Sequence, residues 1–391
     1  MPESSAVAGE PLHDVVVVGG GPVGMLLGCL LALRGRDVVV LERRRERSGR
    51  SRAIGIHPPG LKALAHVGLE PAVRAAAIEI VGGRVICEGR VLGGMSFRGA
   101  GAVLSLPQLE TERLLEGRLD ELRPGALRRG VEVRHVRDRG THVEVDAVEL
   151  GDAGRASGAV SVRARYAIAA DGVRSALRDE LGIDWLRHGG HAHYVMGDTR
   201  DDTGEPDQAL LHFEPSGVVE SFPLPGGLRR WVAWVRRPLA TTTAEQLATI
   251  VRSRTSGEFD AAAASKPSAF EARQHLASRL AHGRVALVGD AAHEVSPIGG
   301  QGMNLGWLDA VRLDHDLETA LRVGAPFEAF EAYDRLRRTA AARAIRQAAF
   351  NMAMGAPASG VRLRLRNGAV RVLAVPPLRG LLARAFTMRW L

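Results

Sequence analysis

Between Asp14 and Glu42 the chain passes from one apolar stretch through a glycine-rich turn to another, an order that leaves few folds open. Asp14-Val15-Val16-Val17-Val18 is β-branched after its first residue, which suits a strand buried on both faces of a parallel sheet. Gly19-Gly20-Gly21-Pro22-Val23-Gly24 follows, with glycine at the three positions of a G-x-G-x-x-G turn. Gly19 permits the tight turn, Gly21 lets a pyrophosphate approach the backbone, and Gly24 allows close packing of helix on strand. Pro22 suits a first helical turn, where a missing N–H has no intrahelical partner to lose, and Val23 continues it. The helix predicted through Leu33 aims free amides and its positive dipole end at the turn. A second strand, 37–41, ends at Glu42, 23 residues after Gly19, with Arg43 beside it. A carboxylate there accepts hydrogen bonds from a ribose diol and repels a 2′-phosphate. The unit predicts a dinucleotide site without separating FAD from NAD.

Composition excludes several other classes. The 391 residues are 46% hydrophobic and 25% charged, ordinary for a globular chain of two or three domains and unlike a disordered or fibrous one. The net charge of +8 comes almost wholly from arginine, since Lys62 and Lys266 are the only lysines, and these charges are scattered among acids. A nucleic-acid footprint would be clustered on one face. Residues 15–33 carry no charge, but Gly19 to Pro22 interrupts them, so they read as strand, turn and helix rather than a membrane span. Cys29 and Cys87 form no C-x-x-C, and Glu3, Glu10 and Asp14 replace the basic start of a leader, so a cytoplasmic protein is expected. His188, His191 and His193 lie in a glycine-rich connection without supporting cysteines or acids, and no metal is expected there.

Two further turns narrow the choice. Tyr166 to Ala170 is an apolar run ending in Asp171-Gly172, with Arg174 and Ser175 just beyond. Arg284 to Val288 repeats the pattern, ends in Gly289-Asp290, and leads into Pro297-Ile298-Gly299-Gly300-Gln301-Gly302-Met303-Asn304. Its glycines expose successive amides ahead of a helix predicted from Met303 to Arg322, an end that suits an electron-rich or anionic ring edge. On these residues the chain resembles the FAD-dependent group A monooxygenases, the flavoproteins with the para-hydroxybenzoate hydroxylase fold. Arg52-Ala53-Ile54-Gly55 and Pro107-Gln108, with Glu112 and Leu115, match two lesser segments of that family.

The resemblance implies an α/β fold: a Rossmann-like FAD-binding domain of the GR2 type, an inserted antiparallel β-sheet substrate domain, and C-terminal helices. The expected limits are a flexible N-terminus at 1–13 and a discontinuous FAD-binding domain at 14–80, 98–185 and 271–353. The substrate-binding sheet is expected at 81–97 and 186–270, and a helical segment at 354–391. FAD would be the cofactor, NAD(P)H the reductant and O2 the co-substrate. Glu42 would hold the adenosine ribose, with Arg43 opening an arginine-rich run at the adenine end. Arg52 and Gln108 would contact the phosphates or ribityl chain, and Asp290 the ribityl hydroxyls. Gly300 and the amides of Gly302, Met303 and Asn304 would face the pyrimidine edge of the ring, and Pro297 its substrate side. Asp171 and Arg174 belong to the segment that serves both FAD and NAD(P)H.

Short strand-like runs at 210–214, 218–224 and 230–236, with a shorter one near 81–97, read as an antiparallel sheet that resembles the family's substrate-domain sheet, which would roof the flavin. His212, Phe213, Phe222, Trp231 and Trp234 are candidates to line its pocket. Residues 242–282 and 327–354 read as helical. The tail from 361 holds seven arginines and no acid, which fits helices packed on the flavin domain or a peripheral membrane contact. The resemblance implies a monooxygenase passing one oxygen from a flavin C4a-hydroperoxide to an electron-rich small molecule, an aromatic or polyketide natural product being expected. The alternatives are oxygenation of an isoprenoid-like alkene and a reductase on the same fold. No residue stands out as a catalytic base; His57, where the family has an arginine-containing helix start, and His212 are the candidates.

Overall fold

The structure is a computed structural model that describes residues 11–388, apart from 48, 50–52, 98–100, 152–153, 239–241, 324–327 and 377. In chain order, β1 (Leu12–Val18), α1 (Pro22–Leu33) and β2 (Val38–Glu42) form the first unit. Helix α2 (Pro58–Ala65), the hairpin β3 (Gly82–Cys87) and β4 (Arg90–Ser96), α3 (Gln108–Leu122) and the long β5 (Ala156–Ala169) follow. Then come β6 (Ala192–Arg200), β7 (Gln208–Glu214), β8 (Gly217–Leu224), β9 (Leu228–Val235), α4 (Ala244–Arg254) and β10 (Ser268–Ala272). Strand β11 (Val285–Leu287) returns to the first sheet ahead of α5 (Gly302–Val323), α6 (Glu328–Gly355), α7 (Gly360–Leu373) and α8 (Leu378–Phe386).

The valine run does what its composition demands. β1 lies between β2 and β5, parallel to both, with Val15 opposite Val38 on one side and Tyr166 on the other. Val15, Val16 and Val17 are fully buried, because helices cover both faces of a parallel sheet. Strand β11 adds in parallel beyond β5, so the three glycine-bearing turns leave the same end of one sheet. Such an end, where strand order reverses, is where doubly wound sheets place their ligands. Trp307 of α5 donates its indole N–H to the Pro22 carbonyl at 3.2 Å, and Tyr333 of α6 donates to the Leu287 carbonyl at 2.7 Å. These bonds seat the last two long helices against the first unit.

The second sheet runs in the order β10-β6-β9-β8-β7-β3-β4, antiparallel except for β7 beside β3. Alternation splits its side chains between two faces. Val195, Val219, Trp231 and Ala233 pack on Leu247, Ala248 and Val251 of α4, which forms the outer layer. Tyr194, Phe213, Val218 and Val232 face the other way and cluster with Ile298 of the third turn and Met352 of α6. This inner face therefore looks onto the flavin-domain turns.

Two expectations need correction. Residues 242–282 are not continuously helical: only α4 is, opened by a reciprocal cap between Thr243 and Gln246. Beyond it Gly257 lies against Trp231, where a Cβ would fall 2.6 Å from the ring, and Pro267 precedes the edge strand β10. Alanine content favours helix, but tertiary packing overrides it here. The single strand near 81–97 is a hairpin, turned at Glu88 and Gly89, both with positive φ. The tail does form helices, yet they rest on the β4 edge: Phe386 stacks on Phe97 at 5.4 Å, and the buried Arg366 bonds inward to the Phe213 carbonyl.

Candidate functional site

The first turn divides its glycines by function. A Cβ on Gly19, whose φ is +114°, would fall 2.2 Å from the Ala170 carbonyl oxygen, and one on Gly24 2.0 Å from the Gly19 oxygen. Those two close the turn against the end of β5. Gly21 is different: nothing lies within 4 Å of its Cβ position, so the chain leaves open space where Pro22 and Val23 begin α1. Glu42 is buried at the end of β2, accepting from Gly20 N at 2.8 Å and from Arg44 N and Nε at 2.9 and 2.8 Å. Burial alone would raise its pKa, but these bonds outweigh it and hold the carboxyl below its ordinary range. Its partner is Arg44; Arg43, expected at the adenine end, is exposed. Arg52 lies outside the described residues.

The second turn sits directly behind the first. Ala170 N donates to Val18 O at 2.8 Å, placing Asp171 beside Gly19. Burial raises the pKa of Asp171, with Ser175 and Leu177 opposing, and its Oδ1 is buried without a partner. Arg174 is exposed, whereas Arg178, four residues on, reaches the carbonyls of Val173 and Ala291 and stacks over Trp185 at 3.9 Å. Arg178 thus ties the second turn to the third, a role that spacing did not single out.

The third turn is held by residues that sequence reasoning overlooked or placed differently. Asp309, fully buried on α5, accepts from Gly289 N at 3.2 Å, His293 Nε2 at 2.5 Å and Arg337 Nε at 2.5 Å. It anchors the positive-φ Gly289 and leaves Asp290 projecting toward solvent. Asn304 does more than offer its amide: its Oδ1 accepts from His57 N at 2.8 Å, and its Nδ2 donates to the carbonyls of Gly55 and Gly300 at 2.9 Å. Gly60 makes room, since a Cβ there would fall 2.0 Å from that Oδ1. Burial pushes His57 down to about 4 against an opposing bond to Gly299, so the ring is neutral and its Nε2 donates to the Gly299 carbonyl at 3.0 Å. His57 is therefore a clasp on the turn. Gln108 is a second clasp, its Oε1 meeting Ala53 N at 3.4 Å and its Nε2 Glu112 at 2.8 Å.

Gly300 N bonds back to the Pro297 carbonyl, and Leu305 N is bonded to Gln301 O, so the amides of Gly302, Met303 and Asn304 stand at the uncapped N-terminal turn of α5. Gln301, 1% exposed, has neither side-chain polar atom partnered. Buried polar atoms normally find partners. The open space at Gly21, these orphaned atoms and two helix N-termini along one sheet end fit an extended anionic cofactor with a polar ring edge.

Facing this turn, the inner sheet face carries Tyr194, Phe213, Phe222, Trp234 and Phe270. His212 and Trp231 are corrected: His212 pairs with Val219, and Trp231 packs with it beneath α4, so strand alternation directs both away from the pocket. Burial pushes His212 down to about 4 on that far side. Glu220 is on the inner face, between Val218 and Phe222, and was not foreseen. Its signal was a lone acid at an inward position of an apolar strand.

A nucleotide groove at the end of a parallel sheet, roofed by an aromatic antiparallel sheet, defines a flavoprotein hydroxylase. The family model described as an FAD binding domain matches residues 13–348, and the chain belongs to that family, the group A aromatic hydroxylases. It is an FAD-dependent monooxygenase that uses NAD(P)H and O2. Among curated proteins it is 34% identical over 350 residues to a 12-dehydrotetracycline 5-monooxygenase/anhydrotetracycline 6-monooxygenase of Streptomyces rimosus, covering 85% of this chain and 68% of that one. The crystal structure of a p-nitrophenol 4-monooxygenase from Pseudomonas putida superposes with a TM-score of 0.85 at 25% identity, covering 98% of both chains. An anhydrotetracycline hydroxylase from Streptomyces rimosus gives 0.77 at 30% identity, covering 97% of this chain and 76% of the other. Among the described residues no helix is long and apolar enough to cross a membrane.

Proposed function

We propose that the chain hydroxylates a fused-ring phenolic polyketide in the cytoplasm. The carrying observation is the inner sheet face, whose apolar and aromatic side chains cluster with Ile298 of the third turn and offer a surface suited to a flat apolar substrate. Similarity to hydroxylases of tetracycline-type compounds supports the same class. Residues 14–80, 98–185 and 271–353 would bind FAD, and 81–97 with 186–270 would bind substrate, the 354–391 helices bracing the sheet edge.

The chemistry supplied by FAD when bound is reduction by NAD(P)H and transfer of one atom of O2 to an organic substrate. In this assignment Gly21 and the start of α1 receive the pyrophosphate, and Glu42 accepts the adenosine ribose hydroxyls. Asp290 takes the ribityl hydroxyls. The amides of Gly302, Met303 and Asn304, with the α5 dipole, stabilise negative charge at the pyrimidine edge of the ring. Gln301 offers its unpaired amide to the same groove. The apolar inner face would keep water away from a ring bound at the third turn.

The test is NADPH and NADH oxidation by the yellow, FAD-loaded protein under O2, with and without anhydrotetracycline and related phenolic polyketides. Stimulated consumption with a product carrying one added oxygen is expected. Flavin reduction with no oxygen entering any aromatic substrate would overturn the assignment in favour of a reductase.

A further inference from the structure

We propose that Glu220 is the substrate-binding acid–base residue of the pocket, taking the proton of a phenolic hydroxyl on the ring to be oxygenated; this rests on the phenolic substrate class proposed above.

Its position follows from register. Glu220 pairs with Leu211 on one side and Val232 on the other. Val232 and Leu211 belong to the inner-face cluster that includes Ile298 of the third turn. Val219, the next residue, points into the opposite layer against α4. The α6 end closes from below: a Cβ on Gly355 would fall 2.8 Å from Val218, and Asn351 Nδ2 lies 2.9 Å from a Cβ position on Gly299. Glu220 thus sits between the aromatic roof and the turn assigned to the flavin ring.

Its surroundings leave the carboxyl uncommitted. Glu220 is only 6% exposed, and among the described residues no donor reaches it. The charged groups on neighbouring elements are engaged elsewhere. Arg230, one register row along, is held by Asp198 through two bonds of 2.7 and 2.8 Å. Arg366, below Phe213, is bonded to the carbonyls of Phe213, Met354 and Ala356. His57 is a neutral clasp behind the turn, and Glu79 on the adjoining short strand is exposed. Tyr194, two strands away on the same face, has a buried hydroxyl with no partner; burial first, and then the Glu220 charge, push its pKa well above the ordinary phenol range. Burial likewise pushes Glu220 up to about 7. A buried carboxyl without a partner is costly, and an amide or aliphatic side chain would fill the place at less cost. A hydroxylated substrate supplies the missing donor.

The step balances without any added oxidant. The substrate O–H bond breaks and an O–H bond forms on Glu220, the electron pair remaining on the phenolic oxygen. That charge raises electron density at the ortho and para carbons, where an electrophilic oxygen adds. After oxygen has been added, the ring carbon loses its proton to water as aromaticity returns, and the Glu220 proton goes back to the phenolic oxygen. A group titrating near the working pH is matched to both directions.

The test uses FAD-loaded wild type, Glu220→Gln and Glu220→Leu, with bound flavin absorbance confirming that each folds. Affinities for 2-naphthol and 2-methoxynaphthalene, which differ in the hydroxyl hydrogen, are measured at pH 8 by flavin fluorescence. Wild type is expected to favour 2-naphthol by about tenfold or more, and both variants to lose that preference. For any polyketide that is turned over, kcat/KM should rise with pH through a limb near 7 that Glu220→Gln lacks. An unchanged naphthol preference in both variants, or no binding of either probe to wild type, overturns the assignment. Failure of anhydrotetracycline turnover alongside a Glu220-dependent naphthol preference counts against the proposed substrate class alone.

Discussion

Replacing Glu220 by Gln should make the protein more stable, and by an amount that grows with pH. The carboxyl goes from an ordinary value of 4.5 in the unfolded chain to about 7 in the folded one, for want of solvent. A raised carboxyl pKa means that the folded state holds a proton the unfolded state has released. Stability contributed by this group is therefore full below 4.5, falls as pH rises toward 7, and is flat above. The difference of two and a half pKa units corresponds to about 3 kcal/mol at pH 8, against less than about 1 kcal/mol at pH 5. Glutamine occupies nearly the same volume and does not titrate, so this component disappears in the variant. For 391 residues an unfolding entropy of roughly 2.1 cal/mol/K per residue turns an increment of about 2 to 3 kcal/mol into a melting-temperature gain of about 3 °C. Differential scanning calorimetry of both proteins, saturated with FAD at one scan rate, measures the gain at pH 5 and pH 8. Carboxylates such as Glu42, whose shift has the opposite sign, cancel in the comparison. If the two melting curves differ by the same interval at both pH values, Glu220 is not held in the low-dielectric setting described.

Two further outcomes separate fold from cofactor. Gly21→Val should leave the melting temperature of the FAD-free protein within a degree or two, because the site is open, yet weaken FAD by tenfold or more; Gly19→Ala, which meets the Ala170 carbonyl, should destabilise even the FAD-free protein by about 2 kcal/mol or prevent folding. Isothermal titration with FAD and thermal melts read the two effects apart. Asn304→Ala removes the bridge between His57, Gly55 and Gly300 and should lower FAD affinity at least about fivefold, whereas wild-type affinity in that variant would show that the α5 amides are placed without it.

Parts of the site were legible because their chemistry is local. A β-branched run, three glycines at fixed spacing and a proline at the helix start describe β1, the turn and α1 with no reference to the rest of the chain, and α1 spans Pro22–Leu33 as predicted. Three strands of the second sheet, β7, β8 and β9, were legible for the same reason, within two residues at each end. The stretch 242–282 was not, because alanine content speaks for helix while the contact of Gly257 with Trp231 is made across the sheet. Arg178 and Asp309 were missed because each holds a backbone group that only the fold brings to it, the Ala291 carbonyl 113 residues from Arg178 and the Gly289 amide 20 residues from Asp309. A backbone partner leaves no pattern of residue types to read, and the side-chain partners of Asp309, His293 and Arg337, meet it only once the third turn and α6 are in place. 

What the amino-acid order determined by itself was the set of local shapes: where strands run, where glycines turn them, and which helix ends carry free amides. Those follow from dihedral freedom, side-chain branching and the period of the apolar residues, all of which act over a few positions. Tertiary structure alone decided which way each strand faces. Alternation says that His212 and Leu211 point apart, but only the packing of α4 on one layer and of the third turn on the other says that His212 is covered and Glu220 looks inward. The hydrophobic effect has no direction of its own, so the choice of face, and with it the chemistry of the pocket, belongs to the assembled layers.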